Sequence, residues 1–386
     1  MITKTGITYS SNSDLTPGAY SGTIEENGEK SKINIPYYPT GVDLYVKAYC
    51  IEDGNRIESP IHHYMLTNWF YIKNEYAGQN TLTITLNGHT GNYRYTYSFD
   101  KEHWTEVSVS STYTITMEEG EKVYFRGGLS YRDSYGYNSM TCSQNYSIGG
   151  DVSTVKGGSS SPTALARGGI GGLFANSTTL VDASNLNFSG IDTIDTYGMA
   201  GTFKGCTNLV GVPDMSSIKY VYTDGMSGTF YGTKINSIDL SGVTTVGFYS
   251  FRNCFQNSKI SSISMGGNLT TIGFDSTNNG GNCFLECFRG CTNLVRGIDL
   301  SNITSINGNG SSQFRQMYQG CTHLEEVTFP KRVTTLGTST SASCYYWLRQ
   351  AGTSVSGTKT VNCPTGVNVP TGSESGVPTG WTKVDY

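Results

Sequence analysis

The C-terminal half of this chain repeats itself, and that repetition constrains the fold more than any other feature. Gly201-Thr-Phe-Lys-Gly-Cys-Thr-Asn-Leu209, Glu286-Cys-Phe-Arg-Gly-Cys-Thr-Asn-Leu294 and Gln316-Met-Tyr-Gln-Gly-Cys-Thr-His-Leu324 share one pattern. Weaker copies are Gly172-Leu-Phe-Ala-Asn-Ser-Thr-Thr-Leu180, Gly228-Thr-Phe-Tyr-Gly-Thr-Lys-Ile235, Asn253-Cys-Phe-Gln-Asn-Ser-Lys-Ile260 and Cys344-Tyr-Tyr-Trp-Leu-Arg-Gln350. The aromatic anchors Phe174, Phe203, Phe230, Phe255, Phe288, Tyr318 and Trp347 are separated by 29, 27, 25, 33, 30 and 29 residues. A unit this short cannot bury its own apolar face, so successive units must stack and share one core.

A second pattern follows each anchor: Ile235-Asn-Ser-Ile-Asp-Leu240 then Val243-Thr-Thr-Val246, Ile260-Ser-Ser-Ile-Ser-Met265 then Leu269-Thr-Thr-Ile272, and Leu324-Glu-Glu-Val-Thr-Phe329 then Val333-Thr-Thr-Leu336. Their alternation predicts short strands, and the paired threonines suit extended backbone. The Phe-x-Gly-Cys segment predicts one helical turn, with Gly205, Gly290 and Gly320 ending it. Trp381 and Val384 are the expected cap over the last repeat.

The pattern resembles the BspA-type leucine-rich repeats of bacterial surface proteins. F-K-G-C-T-N-L, F-R-G-C-T-N-L and the I-D-L and V-T-F-P strands after them carry the resemblance, over roughly residues 165–386. It implies an irregular solenoid used for adhesion and names no ligand. Gly-Asn inserts such as Asp275-Ser-Thr-Asn-Asn-Gly-Gly281 depart from it and are expected to protrude as loops.

The N-terminal part alternates with period two. Val42-Asp-Leu-Tyr-Val-Lys-Ala-Tyr-Cys-Ile51 puts Leu44, Val46, Ala48 and Cys50 on one face, and Asp53-Gly54 turns it into Arg56-Ile-Glu-Ser59. This run resembles the second half of a fibronectin type III sandwich whose first strands are missing. Asn80–Leu86, Tyr93–Phe99 and Lys122–Arg126 alternate as strands of a second unit. That unit resembles small β-sandwich modules placed before such repeats in Bacteroidetes and their phages. The expected fold is therefore mainly β: a partial fibronectin-like module over 1–70, a small β-sandwich over 71–156, and a leucine-rich-repeat solenoid with short helical turns over 157–386. Gly157-Gly-Ser-Ser-Ser-Pro162 is the expected flexible joint.

Composition narrows the function. Charged residues make up 15 % of the 386, the net charge is −4, and no long basic run offers a nucleic-acid footprint. No run of 18 apolar residues predicts a membrane span. Met1–Asp14 lacks the apolar core of a secretory signal. With no visible export signal, the ten cysteines are expected as reduced, buried thiols. Cys283, Cys287 and Cys291 with His323 have the residue types of a zinc site, but Cys291 aligns with Cys206 and Cys321 in the repeat, which places it in the core. Gly168-Gly-Ile-Gly-Gly172 lacks the strand and lysine of a phosphate loop and is expected to be a flexible entry to the first repeat. His62 and His63 would point to opposite faces of a strand. None of the five histidines has a spacing that names a catalytic base, so neither catalysis nor a cofactor is expected.

The expected ligand site is the loop carrying Tyr131, Tyr135 and Tyr137, whose rings can stack on sugars or on protein surface. The combined expectation is a non-catalytic phage virion protein, a fibre or decoration subunit that binds host surface glycan or protein. A bacterial cell-surface adhesin and a polysaccharide-cleaving spike are the alternatives. An incomplete N-terminal module leaves open strand edges, so it is expected to pair with other virion or surface subunits in an oligomer, the alternative being a small sandwich closed by residues 71–156 of the same chain.

Overall fold

The computed structural model describes residues 2–10, 15, 21–28, 43–65, 69–85, 95–107, 112–127, 138–155, 161, 163–274, 281–306, 312–331 and 343–386. Tyr131, Tyr135 and Tyr137, most of the Gly157–Pro162 joint and the insert at 275–280 lie outside them. The chain divides into two units, Met1–Trp69 and Phe70–Tyr386. As expected, it is almost entirely β.

In the first unit, β1 (Ile2–Ser10) lies between β2 (Ser21–Asn27) and β3 (Asp43–Glu52), all antiparallel. The far edge of β3 pairs with β4 (Asn55–Glu58) and β5 (His62–Met65). Asp53 and Gly54 both adopt positive φ, as the mirror-image turn of a two-residue hairpin requires. The sequence predicts that the Leu44, Val46, Ala48 and Cys50 face of β3 needs a cover; the Leu44 side chain lies outside the described ones. Ala48 is instead exposed and Cys50 half-buried, while Tyr49 on the opposite face is buried. Its ring packs over Gly6, where a Cβ would collide with it. Arg56 lies 3.6 Å from the ring centroid, and the hydroxyl donates to Glu25 at 2.9 Å. A cation–π and hydrogen-bonded cluster thus covers that face.

The second unit begins with two sheets. β6 (Phe70–Asn74), β8 (Tyr95–Ser98), β9 (Thr105–Val107), β11 (Lys122–Gly127) and β13 (Tyr146–Asp151) belong to one, and β7 (Asn80–Thr85), β10 (Thr112–Met117) and β12 (Ser139–Cys142) to the other. Strict alternation puts Phe70, Ile72, Leu82, Ile84, Val123 and Phe125 inside. β13 continues the first sheet into the repeats. After β14 (Ala164–Leu165), β15 (Leu180–Asn187) pairs parallel with β13, so module and repeats share one core.

The repeats carry parallel strands that follow the predicted pattern. Thr245 and Val246 of Val243-Thr-Thr-Val246 and Thr271 and Ile272 of Leu269-Thr-Thr-Ile272 form a parallel ladder with Thr193–Ile194, Tyr220–Val221 and Ser305–Ile306; Val333-Thr-Thr-Leu336 lies outside the described residues. Ser237–Asp239 pairs with Ser262–Ser264 on another face. The predicted helical turn is absent. Positive φ recurs at every fourth residue of the anchor segment, as at Tyr197, Gly201 and Gly205, and at Glu286 and Gly290, and an α-helix cannot contain such residues.

The segment is a ribbon of linked turns instead. Ala200, Thr202 and Lys204 amides donate three residues back within the coil, while Met199, Gly201 and Phe203 amides donate to Gly225, Ser227 and Thr229 carbonyls of the next coil at 2.8–3.0 Å. Gly168 and Gly172, expected as a flexible entry, form the first ribbon, with amides bonded to Thr196 and Ala200 carbonyls.

The anchors stack as the alignment predicts. Phe174, Phe203, Phe230, Phe255, Phe288 and Tyr318 form a column with ring centroids 5.3–6.0 Å apart. Phe70 of the sandwich stacks beneath it at 6.2 Å, and Trp347 follows at its other end, edge-on to Phe329. Of the two cap candidates, Trp381 packs on the core, whereas Val384 is 44 % exposed because it lies on the strand Thr382–Asp385, whose residues are all exposed.

Two outcomes check this core. Leu209 and Leu294 are fully buried, so Leu209→Ala or Leu294→Ala lowers unfolding free energy by about 2–5 kcal/mol in denaturant titration. Nine cysteines are buried and Cys50 is half-buried. With a thiol reagent at pH 8, Cys50 therefore reacts first, and the others react only with unfolding.

Candidate functional site

In the full copies the thiol closes the joint between coils. Cys206, Cys291 and Cys321 each donate Sγ–H to the carbonyl of the preceding anchor, Phe174, Phe255 or Phe288, at 2.9–3.0 Å. Burial pushes the Cys206 and Cys291 thiols up to about 12 from an ordinary value of 9. His323, the fourth member of the possible zinc set, is exposed and lies with Nδ1 2.6 Å from the Thr292 carbonyl. It takes the corner position where Asn208 and Asn293 donate to the Thr178 and Lys259 carbonyls. The cysteine column is thus core, and the histidine serves the outer corner.

The outer side of the turn ribbon carries a different chemistry. Its second left-handed position is glycine in three successive coils, at Gly172, Gly201 and Gly228, then Asn253, Glu286 and Gln316 in the next three. Glu286 pairs with Arg289 at 2.8 Å and Gln316 with Gln319 at 2.6 Å, so side chains cover the ribbon there. At Gly228 a Cβ would meet no heavy atom within 4 Å. Gly201 and Gly228 therefore floor an open cleft of about 520 Å³.

Tyr197, Lys204, Tyr231, Asn253 and Gln256 line this cleft together with Asp224 and Arg252. The Lys204 ammonium lies 5.7 Å from the Tyr231 ring centroid, and Asn257 donates to the Tyr231 hydroxyl at 3.3 Å. Arg252 donates to Asp224 at 3.2 Å and to Ser227 at 3.3 Å, with its guanidinium 4.4 Å from the Tyr249 centroid. Stacking and pairing hold this arginine in place before any ligand arrives. Beyond it, Tyr222 meets a 43 % exposed Phe274 at 5.8 Å.

A second depression of about 440 Å³ lies beside Arg296, Glu326 and Asn362, whose polar groups engage one another at 2.9 and 3.5 Å.

The sequence reading missed the cleft. Its signal was present in the aligned repeats, as glycine at 201 and 228 against longer side chains at 253, 286 and 316. That contrast gains meaning only once the ribbon shows that this position faces outward.

Two measurements test the geometry. Asn253, Glu286 and Gln316 already hold the backbone of Gly228 with a side chain attached, so Gly228→Gln costs only about 1 kcal/mol in thermal or denaturant unfolding while filling the cleft. The second concerns pH. A thiol whose folded pKa lies above its unfolded one stabilises the fold fully below the unfolded value. That stability falls as pH rises from about 9 toward about 12, and unfolding midpoints measured across this window decline.

The family model for the BspA type leucine rich repeat region matches the chain in six copies, over residues 174–284 and 275–347. Comparison with curated proteins and with solved structures gave no match. The repeats that build the aromatic column and the cleft are thus of the BspA leucine-rich type, a type that points to a surface or binding protein.

Proposed function

We propose that this chain is a non-catalytic binding protein that attaches a particle or cell to a surface glycan or protein, with the open cleft on the turn ribbon as its contact site. The observation that carries this is the break in the ribbon at Gly201 and Gly228, where polar and aromatic side chains from successive coils converge on a floor without side chains. Repeated coils place such groups at fixed spacing without moving parts, and a preorganised surface loses little entropy on binding. Asp224, the carboxylate lining the cleft, is ion-paired with Arg252. That suits recognition better than general acid–base work, which needs a carboxyl available to exchange protons. Tyr131, Tyr135 and Tyr137 remain an additional candidate contact.

The narrower reading is a phage virion protein, a fibre or capsid decoration, held to other subunits through the N-terminal module and oligomeric in the particle. Its support is the resemblance of the β module at 71–156 to those preceding such repeats in Bacteroidetes and their phages, together with the fibronectin-like run at the N-terminus. A bacterial cell-surface adhesin is the second reading, favoured by the surface-protein character of the repeat type.

Immunogold labelling separates them: antibodies to the chain decorate purified virions under the first reading and intact bacterial cells under the second. In either case Gly228→Gln weakens attachment of the full chain to its target cells by about tenfold or more. Unchanged attachment removes the cleft from the proposal.

A further inference from the structure

We infer that the cleft binds an acidic polysaccharide, a linear chain carrying uronic-acid carboxylates; this rests on the reading of the chain as a surface-binding protein. Lys204, Tyr231 and Gln256 each follow the anchor aromatic of their coil, Phe203, Phe230 and Phe255. They therefore form a row that advances by one coil at a time. Hydrogen-bonded neighbouring strands are about 4.8 Å apart, and that rise is close to the length of one pyranose in an extended chain. The row thus offers successive sugars a cation, an aromatic ring and an amide in turn.

Each of these groups has a partner on such a sugar. The apolar C–H face of a pyranose packs on an aromatic ring, and Tyr231 is only half-buried. Lys204 is exposed, has no ion pair among the described residues, and keeps its ammonium 5.7 Å from that ring. A carboxylate on a sugar stacked against Tyr231 reaches it, forming a charge-assisted hydrogen bond.

Arg252 is 40 % exposed, and a guanidinium has more N–H donors than its bonds to Asp224 and Ser227 use. It is placed for hydroxyls or for a second carboxylate. Lys204 and Arg252 against Asp224 leave the lining with an excess positive charge, in a chain whose net charge is −4. The cleft therefore opposes the charge of the whole molecule, as selection for an anionic ligand requires.

The test uses the full chain in isothermal titration with oligogalacturonate and alginate oligosaccharides, and with cello- and malto-oligosaccharides as neutral probes. Binding of at least one acidic probe, about tenfold or more tighter than the neutral ones and weakened by added salt, is expected. Lys204→Gln, at an exposed position, lowers that affinity by about tenfold, and Lys204→Arg retains most of it. Tyr231→Ala removes binding of the same probe.

Equal affinity for neutral and acidic probes overturns the inference, as does binding that Lys204→Gln leaves unchanged. If no probe binds while Gly228→Gln still abolishes cell attachment, the acidic polysaccharide is wrong and the surface-binding reading stands, with a protein as the ligand.

Discussion

The rest of the structure depends on the main-chain ladder of the turn ribbon. Along each anchor segment, alternate amides turn back within their own coil and the others donate to the next coil. This satisfies the backbone of a segment that is neither helix nor strand, in a place where unpaired polar groups would be costly. It also fixes the register between coils, so that every anchor aromatic falls on the one before it. The stack from Phe70 to Trp347 is a consequence of that register. So is the thiol bond from Cys206, Cys291 and Cys321 to the anchor carbonyl one coil earlier.

The ladder carries a conformational cost that the repeats share. Tyr197, Asp224, Tyr249, Glu286 and Gln316 all adopt left-handed backbone, a region that side chains other than glycine seldom occupy. Such residues persist where the surroundings over-determine them. Here the hydrogen bonds to both neighbouring coils do so, and the buried residue two positions on, Met199, Met226, Phe251, Phe288 or Tyr318, anchors each turn. The same geometry makes glycine and longer residues interchangeable at the outer ribbon position. The surface can therefore vary, as between Gly228 and Glu286, while the core column stays constant. A binding site in such a fold is written on positions that the fold leaves free.

Core and site were unequally legible in the sequence. The anchor spacing, the period-two strands and the placement of cysteines in the core follow from burial, which demands apolar side chains at fixed intervals and so leaves a pattern. The expected helical turn gives way to the ribbon for a definite reason. Met199, Phe203 and Cys206 are apolar at intervals of four and three, and a helix and this turn ribbon bury the same positions. The Gly-Ser composition after residue 156 says nothing of the pairing of β13 with β15 on either side of it. A parallel pairing between distant segments leaves no local trace.

By itself, then, the sequence determined a mainly β chain with a stacked repeat core, because each unit is too short to hide its apolar face alone. The tertiary structure decided three further things: the handedness of the turns, the continuity of one core from Phe70 to Trp381, and the side of the ribbon that meets solvent. The cleft arises only at this level. Lys204, Tyr231 and Arg252 are spread over 49 positions of the chain, and what brings them to one floor of glycine is the hydrogen-bonded register between coils, an interaction of backbone atoms that every sequence carries alike.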